Sequence, residues 1–410
     1  MAKSDRIETS KVRIWWAGHD TALLRIAVGL MAFAALVFLG YEFWRLLWQP
    51  THIGPWHIHP GAIDLKIRHR AVHTWFAGTP EHHSGYAPAS HVIFWPLHGW
   101  LEVRPATLIW AMSTVAALGW MVYLVVRESG ANTRLESIFL ALIPLSMYAT
   151  GATIGNGQLI VHLLPMLVAG ILLLHRGEPL WRRDMMAAAL VLVSLSKPSI
   201  SVPFFWILLF VPGRLRPALL VCLGYMALTL IAASFHEAGP LALFVEWLEQ
   251  SLTWSGVLGH GHLAAWLFAL GLGDYTLPAM FFVLLALGLW TYHYRHVDLW
   301  LLLGVSSLVA RFWTYHRWYD DLLILLPIIA LFRLSKRDAS INGQLAGALL
   351  GITLLASIAP GGLYLFPEPW NTRYVNGQVI VWGVVLIFLL NRTRRDKNET
   401  AMTATSKALN

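Results

Sequence analysis

Two short stretches of the chain place acids and bases where a reaction could use them. The first, GAIDLKIRHRAVHTWFAG, runs from Gly61 to Gly78, and its apolar residues recur about one turn apart, which predicts a helix. Asp64 falls in the first turn, where the helix dipole favours an ionised carboxylate. Such a carboxylate, beside cations, can accept a proton from a hydroxyl group. Asp64 is therefore the candidate catalytic base, and its position also suits a plain helix-capping role.

The second stretch, ARFWTYHRWYDDLLILLP, covers residues 310–327 and crowds charges between aromatic side chains. Its candidate site residues are Arg311, His316, Arg317, Tyr319 and Asp321, and Asp320 adds a further charge beside them. A charge near the centre of a membrane helix costs about 2.5 to 3.5 kcal/mol, and less towards its ends. Mutual pairing of arginines and aspartates would offset that cost without a ligand. A phosphate between Arg311, Arg317 and Lys197 would serve equally, because guanidinium groups match phosphate oxygens in pairs.

Three further polar residues could contact a sugar or an acceptor. Tyr86 precedes an apolar stretch that ends at Pro96, so its ring could stack on a sugar or anchor at the membrane interface. Asn156 and Gln158 lie in GATIGNGQ, where their amides could bind hydroxyl groups or simply shape a Gly-rich turn.

Histidines are concentrated in the region 49–104, which holds nine of the eighteen. The closely spaced pairs are His57 with His59, His82 with His83, and His260 with His262. These pairs do not have the spacing of a helical zinc pair. A metal-binding membrane protein thus stays an alternative that rests on the histidines alone, and we expect no metal site.

The composition is that of a polytopic membrane protein. Of 410 residues 57% are hydrophobic and 13% charged, too apolar for one soluble core. A single cysteine, Cys222, excludes an internal disulfide and a thiolate metal cluster. The net charge of +8 comes mostly from short loops and the tail, so membrane topology explains it better than nucleic-acid binding.

The apolar segments predict an all-α membrane protein of about twelve transmembrane helices. The expected spans are 22–47, 106–127, 135–150, 158–175, 185–197, 199–212, 217–235, 277–294, 299–313, 321–333, 343–358 and 377–391. The pair 185–197 and 199–212 is short, and Pro198 separates its members. Half-length helices that meet at a proline are tolerated only where protein or water satisfies the freed backbone, which would put Lys197 inside a cavity.

The distribution of basic residues predicts the topology. A cytoplasmic N-terminus puts 20 of the 30 lysines and arginines on the inner side. We expect a cytoplasmic segment 1–20, one membrane domain 21–392 in the inner (plasma) membrane, and a basic, disordered cytoplasmic tail 393–410. Long loops at 49–105, 236–276 and 359–376 then face outwards, and PLALFVEWLEQSLTW predicts an amphipathic helix on that face. The chemistry is expected on the periplasmic or extracellular side.

The order of several short motifs carries a family resemblance. They are Asp64-Leu65 with Ala71 and Gly78, Tyr86-Ala87-Pro88, Trp95-Pro96-Leu97, Gly157-Gln158, Lys197-Pro198, and His316 to Asp321 followed by Leu325-Leu326-Pro327. From about residue 22 to 391 the chain resembles the polytopic glycosyltransferases of the C superfamily. Within it the chain is similar to family 87, the polyprenyl-phosphate-mannose-dependent mannosyltransferase type.

The resemblance implies an inverting sugar transfer from a polyprenyl phosphate to a glycolipid or glycan hydroxyl, without a cofactor or metal. Asp64 would be the base, and His316 would lie near the sugar donor and act as a hydrogen-bond donor or an acid. The donor phosphate would be held by Lys197, Arg311, His316 and Arg317, and the sugar or acceptor by Tyr86, Asn156, Gln158, Tyr319 and Asp321. One departure is Arg68-His69, where members often have a tyrosine. The alternative is a transporter or flippase for a lipid-linked sugar, which would place charges nearer mid-membrane.

Overall fold

The computed structural model describes residues 4–48, 60–79, 85–176, 180–257, 261–338 and 340–409. Within these ranges the chain is helical, apart from one antiparallel bridge between Met147 and Ile358. The α-helices are α1 Ser4–Trp48, α2 Ile63–Phe76, α3 Pro88–His98, α4 Val103–Ser129, α5 Arg134–Ser146, α6 Tyr148–Asn156, α7 Ile160–His175, α8 Trp181–Ser194, α9 Pro198–Ser201, α10 Phe205–Phe210, α11 Arg216–Ala233, α12 Pro240–Val257, α13 Leu263–Ala269, α14 Thr276–His293, α15 Leu299–Trp313, α16 Leu325–Arg337, α17 Ile341–Ser357, α18 Gly362–Leu365 and α19 Trp370–Leu409. Short 3₁₀ helices cover Val202–Phe204, Gly273–Tyr275 and Trp318–Ile324.

Several helices could span a membrane. Five in the described ranges are long and apolar enough: Ala22–Trp48, Val103–Ser129, Arg216–Ala233, Gly273–His293 and Trp370–Lys397. A sixth is possible if α6 and α7, which meet at an angle of 116°, form one broken span. The structure therefore supports a helical membrane protein, but the expected count of twelve is not confirmed. Helices occur near every predicted span, and many, such as α15 and α17, are too short to cross hydrocarbon alone.

Burial separates a central group of helices from a peripheral one. Most residues of α7, α15 and α16 are buried, which fits helices that are apolar over most of their surface. In contrast, α1, α11, α14 and α19 leave large apolar side chains exposed along their lengths, as lipid-facing helices do. The polar groups of the candidate site thus lie at the ends of the central helices, which the peripheral, lipid-facing helices enclose.

Three local predictions are confirmed. The helix expected between Gly61 and Gly78 is α2, and the helix expected for PLALFVEWLEQSLTW is part of α12, while its place on the outer face stays a prediction. The chain also breaks near Pro198, since α8 ends at Ser194 and α9 begins at Pro198. Lys197, in the gap between them, keeps only 13% of its side chain exposed.

Candidate active site

Asp64 is held at the start of α2 by a strained backbone. Ala62, two residues before Asp64, is fully buried and has a φ of 56°. Among the described residues it is the only one other than glycine with a positive φ. A left-handed alanine costs about 1 to 2 kcal/mol. The Ala62 amide donates to the Gly155 carbonyl oxygen at 2.8 Å, which ties this strained residue to the end of α6. The fold therefore fixes the backbone immediately before Asp64.

The bend between α6 and α7 receives α2. Gly157, with a φ of +69°, lies so close to α2 that an added Cβ would come within 2.6 Å of the Leu65 Cβ atom. The Gly157 carbonyl oxygen accepts a hydrogen bond from Arg68 Nη2 at 3.0 Å. The bend must therefore have glycine here, because any side chain would push α2 away.

The two amides of the bend face different neighbours. Gln158 Oε1 accepts from the Leu159 amide at 3.3 Å, and the Gln158 side chain hydrogen-bonds the Asp64 carboxyl group. Asn156 Oδ1 instead accepts from Arg45 Nη2 at 3.0 Å. Gln158 thus lies beside Asp64, whereas Asn156 has its oxygen occupied by α1; binding of sugar or acceptor by either amide stays a prediction.

Two of the three cations expected to hold a phosphate are paired with aspartates. Lys197 Nζ lies 2.6 Å from Asp320 Oδ1. Arg311 Nε pairs with Asp321, whose other oxygen accepts from the hydroxyl group of Tyr148. All of these side chains except Lys197 are almost completely buried. The pairing expected in the absence of a ligand is therefore present, and it places Asp321 in the protein interior.

Arg317 differs from those two cations. Its side chain is partly exposed and forms no ion pair with any acidic residue of the described ranges. Its neighbours are the side chain of Tyr315, to which it hydrogen-bonds, and the carboxyl group of Asp64. Of the expected phosphate ligands, Arg317 is thus the one whose charge is not already neutralised by a paired acid.

The Asp64 carboxyl group combines burial with facing positive charge. Burial raises its pKa above the usual range, and the hydrogen bond from Gln158 and the charges of Lys197, Arg68 and Arg317 oppose that rise. Burial disfavours the ionised form, whereas each cation favours it. Asp64 is therefore a carboxylate of increased basicity that still has counter-charges nearby, as a general base requires.

His316 is fully buried between the two ion pairs. Its Nδ1 lies 3.0 Å from the Thr314 carbonyl oxygen, and since a carbonyl only accepts, Nδ1 carries the proton. Burial lowers its pKa to about 3, an effect that Asp320 opposes and Arg311 and Lys197 support. The ring is then neutral at pH 7, and Nε2, which has no hydrogen-bond partner in the described structure, is an acceptor. This favours a role for His316 as a hydrogen-bond acceptor over the predicted role as a hydrogen-bond donor or an acid.

The two candidate tyrosines both lie near Asp64. Tyr319 is buried, and Lys197 Nζ is 5.0 Å from its ring centroid. Tyr86 is partly exposed and packs edge-on against Phe94, with 5.1 Å between ring centroids. Both hydroxyl groups are close enough to Asp64 for its charge to raise their pKa, after the larger effect of burial.

The structure thus brings together Asp64, Tyr86, Gln158, Lys197, Arg317 and Tyr319, with His316 and the Arg311–Asp321 pair buried nearby. Sequence reasoning named Arg68 only in the Arg68-His69 departure from the family pattern and gave it no place in the site. The spacing of Asp64 and Arg68, one helical turn, was the signal that could have found it. Tyr148, the partner of Asp321, had no signal of this kind.

Two other features lie outside this cluster. A cavity of about 420 Å³, lined by Asp298, Arg333, Arg337 and Arg392 among others, opens at the opposite end of α15 and takes no part in the site. In the described ranges no group of three or more histidine, cysteine, aspartate or glutamate side chains could hold a metal ion. His57, His59, His82, His83 and His260 lie outside those ranges.

Comparison with known proteins adds no relative to this picture: no protein-family model matches the chain, and neither a curated protein nor a solved structure is significantly similar to it.

Proposed function

We propose that this chain is an inverting glycosyltransferase that moves a sugar from a polyprenyl-phosphate carrier to an acceptor hydroxyl group at the outer face of the plasma membrane. The observation that carries the proposal is the electrostatic environment of Asp64. A partly buried carboxyl group faces Lys197 and Arg317, which come from distant parts of a chain rich in apolar helices. This supports a base that works beside a bound anion.

In the proposed reaction Asp64 removes the proton of the acceptor hydroxyl group while its oxygen attacks the anomeric carbon. The bond from that carbon to the phosphate oxygen breaks, and its electron pair stays on the leaving phosphate. Arg317 stabilises the charge that develops there, because it has no acidic partner among the described residues. Lys197 contributes from its pair with Asp320.

The remaining polar groups orient the reactants. Gln158 holds the Asp64 carboxyl group through one hydrogen bond and leaves the other oxygen lone pairs for the acceptor proton. Tyr86 and Tyr319 lie where they can contact a sugar. The chain itself supplies the cations of this reaction, so we expect no metal requirement. We place the proposed enzyme in family 87 of the C superfamily on its motifs, with a lipid-linked sugar as donor and a glycolipid or glycan as acceptor.

The test is a turnover assay of the purified protein with a panel of polyprenyl-phosphate sugars, mannose first, and radiolabelled product detection. Asp64→Asn removes the base and keeps the shape, so this variant should bind donor and transfer no sugar. Donor movement between leaflets of a vesicle without release of polyprenyl phosphate would favour the transporter instead. Near wild-type turnover in the variant would exclude Asp64 from the mechanism.

A further inference from the structure

Arg68 is a completely buried arginine that forms no ion pair with an acidic residue of the described chain. Its Nε donates to His98 Nε2 at 3.1 Å, and its Nη2 donates to the Gly157 carbonyl oxygen at 3.0 Å. The guanidinium carbon lies 4.4 Å from the centroid of the Trp110 ring. These are neutral partners, and burying a charge among neutral groups is costly. The hydrogen bonds and the ring contact of Arg68 therefore leave its charge without a directly paired acid in the described chain.

The neutral partner His98 is kept neutral by the same environment. Burial lowers its pKa to about 2, and the charge of Arg68 adds to that effect. The neutral His98 ring therefore accepts the hydrogen bond from Arg68 at Nε2 and carries no positive charge of its own. Arg68 Nη1 makes no hydrogen bond in the described structure, although the Tyr86 hydroxyl group is near.

The nearest acid is Asp64, four residues earlier on the same face of α2. Three cations act on it, and each has a different status. Lys197 is already paired with Asp320, and Arg317 is partly exposed, where the donor phosphate would take its charge. Arg68 is thus the cation that stays with Asp64 whether or not donor is bound.

We propose that Arg68 is a positioning residue for Asp64: its two hydrogen bonds hold α2 against the bend between α6 and α7, and its buried charge is the permanent counter-charge of the carboxylate. This inference rests on the proposed function, since it assigns a role in sugar transfer. It identifies the Arg68-His69 departure from the family pattern as a functional feature of this chain.

Other titratable groups around the pair define what a pH experiment reports. Asp64 is faced by Arg68 from α2, Lys197 from the break between α8 and α9, Arg317, Tyr315 and Tyr319 from the segment after α15, and Tyr86 before α3. Arg68 is faced by His98 of α3 and His162 of α7, and His69 and His73 adjoin His98. The groups that face Asp64 are cations and tyrosines, so the pH dependence of Asp64 labelling reports the protonation of its own carboxyl group.

The experiment separates position from charge with three variants. Arg68→Met keeps a long apolar stem against Trp110 and removes both the charge and the hydrogen bonds. Arg68→Lys keeps the charge and loses the two-pronged geometry. Arg70→Gln is the matched control, because Arg70 is an exposed arginine two residues further along the same helix.

Two measurements are made on each variant. The first follows labelling of Asp64 by a water-soluble carbodiimide and an amine against pH, by mass spectrometry, with the exposed Asp274 as internal reference. The second is sugar transfer at neutral pH. In Arg68→Met the labelling midpoint of Asp64 should move up by about one pH unit, and turnover should fall by about tenfold to a hundredfold. Arg70→Gln should match wild type in both.

The lysine variant distinguishes the two parts of the proposal. Arg68→Lys should keep the wild-type labelling midpoint and lose about tenfold in turnover, because the charge remains and the carboxylate is less well placed. If Arg68→Met does not fold, Arg68→Lys decides: wild-type turnover in it would overturn the positioning role. An unchanged midpoint in a folded Arg68→Met protein would overturn the counter-charge role. A shifted midpoint in a protein that turns over no lipid-linked sugar would leave Arg68 as the partner of Asp64 and refute the glycosyltransferase.

Discussion

Breaking the Lys197–Asp320 ion pair should destabilise the protein far more than removing both charges. At their separation of 2.6 Å, two unit charges attract by about 6 kcal/mol in an effective dielectric constant of about 20, before the cost of desolvation. Asp320 is fully buried, so loss of Lys197 leaves an unpaired carboxylate away from water. Breaking such a buried pair costs about 3 to 5 kcal/mol, while removing both partners is often close to neutral.

The perturbation is a double-mutant cycle of Lys197→Met, Asp320→Asn and the two combined. Asparagine keeps an oxygen for the Arg317 amide, which lies 3.3 Å from Asp320 Oδ2. We expect Lys197→Met to lower the free energy of unfolding by about 3 kcal/mol or more and the double variant to recover most of that loss. Denaturant unfolding in detergent, followed by tryptophan fluorescence, measures all four proteins. Loss of less than about 0.5 kcal/mol in Lys197→Met, the level of an ordinary surface change, would refute the reasoning.

The same cycle tests the role of Lys197 in donor binding. If Lys197 stabilises the donor phosphate as well as Asp320, the double variant should regain stability and still bind donor weakly. Affinity is measured with a non-hydrolysable polyprenyl-phosphate sugar. Full recovery of affinity together with stability would mean that Lys197 is needed only to neutralise Asp320.

The remaining predictions concern the anion, the base and metal. Arg317→Gln should weaken donor binding by about tenfold to a hundredfold, the equivalent of about 1.4 to 2.8 kcal/mol, because it removes the cation without an acidic partner; unchanged affinity would assign the phosphate to other groups. Since Asp64 acts in its ionised form and burial raises its pKa, kcat/KM should rise with pH through a limb above the usual carboxylate range. Gln158→Leu removes a hydrogen bond that lowers this pKa, so the limb should move to still higher pH, and an unmoved limb would separate Gln158 from the base. Chelator-treated protein should keep its turnover, whereas loss restored by added zinc would favour a metal role for the histidines.

Local patterns predicted the parts of the fold that depend on local physics. Helical spacing between two glycines was enough for α2, and a proline between two short apolar runs was enough for the break at Lys197. The number of transmembrane helices was harder to predict, because helices buried inside the protein and helices that face lipid are made of the same apolar residues. α15 is an example: it is apolar along most of its length, yet most of its 15 residues are buried by other helices.

The site could be predicted only as a set of residue types. Sequence reasoning offered pairing or phosphate binding for the cations. Arg311 and Asp321, which pair, are only 10 positions apart, but Lys197 and Asp320 are 123 apart, and Tyr148, which donates to Asp321, is 173 positions away from it. No periodicity connects positions so distant. The proximity of Arg68 to Asp64 could have been predicted, since helical geometry alone puts the two residues on one face. Its neutral hydrogen-bond partners could not, because they come from α3 and from the bend between α6 and α7.

Prior pairing of the cations has a consequence for how a phosphate would bind. An unpaired cluster of Lys197, Arg311 and Arg317 would repel itself and attract any anion, including lipid headgroups. With Lys197 and Arg311 neutralised, Arg317 offers the first contact, and Lys197 can follow only by sharing itself between Asp320 and the ligand. A contact between the ligand and Lys197 weakens the existing ion pair with Asp320, so the phosphate alone gains little binding energy. Only an anion that also contacts the sugar- and acceptor-binding groups around Asp64 would bind well. Selectivity then comes from the site as a whole, not from its charge.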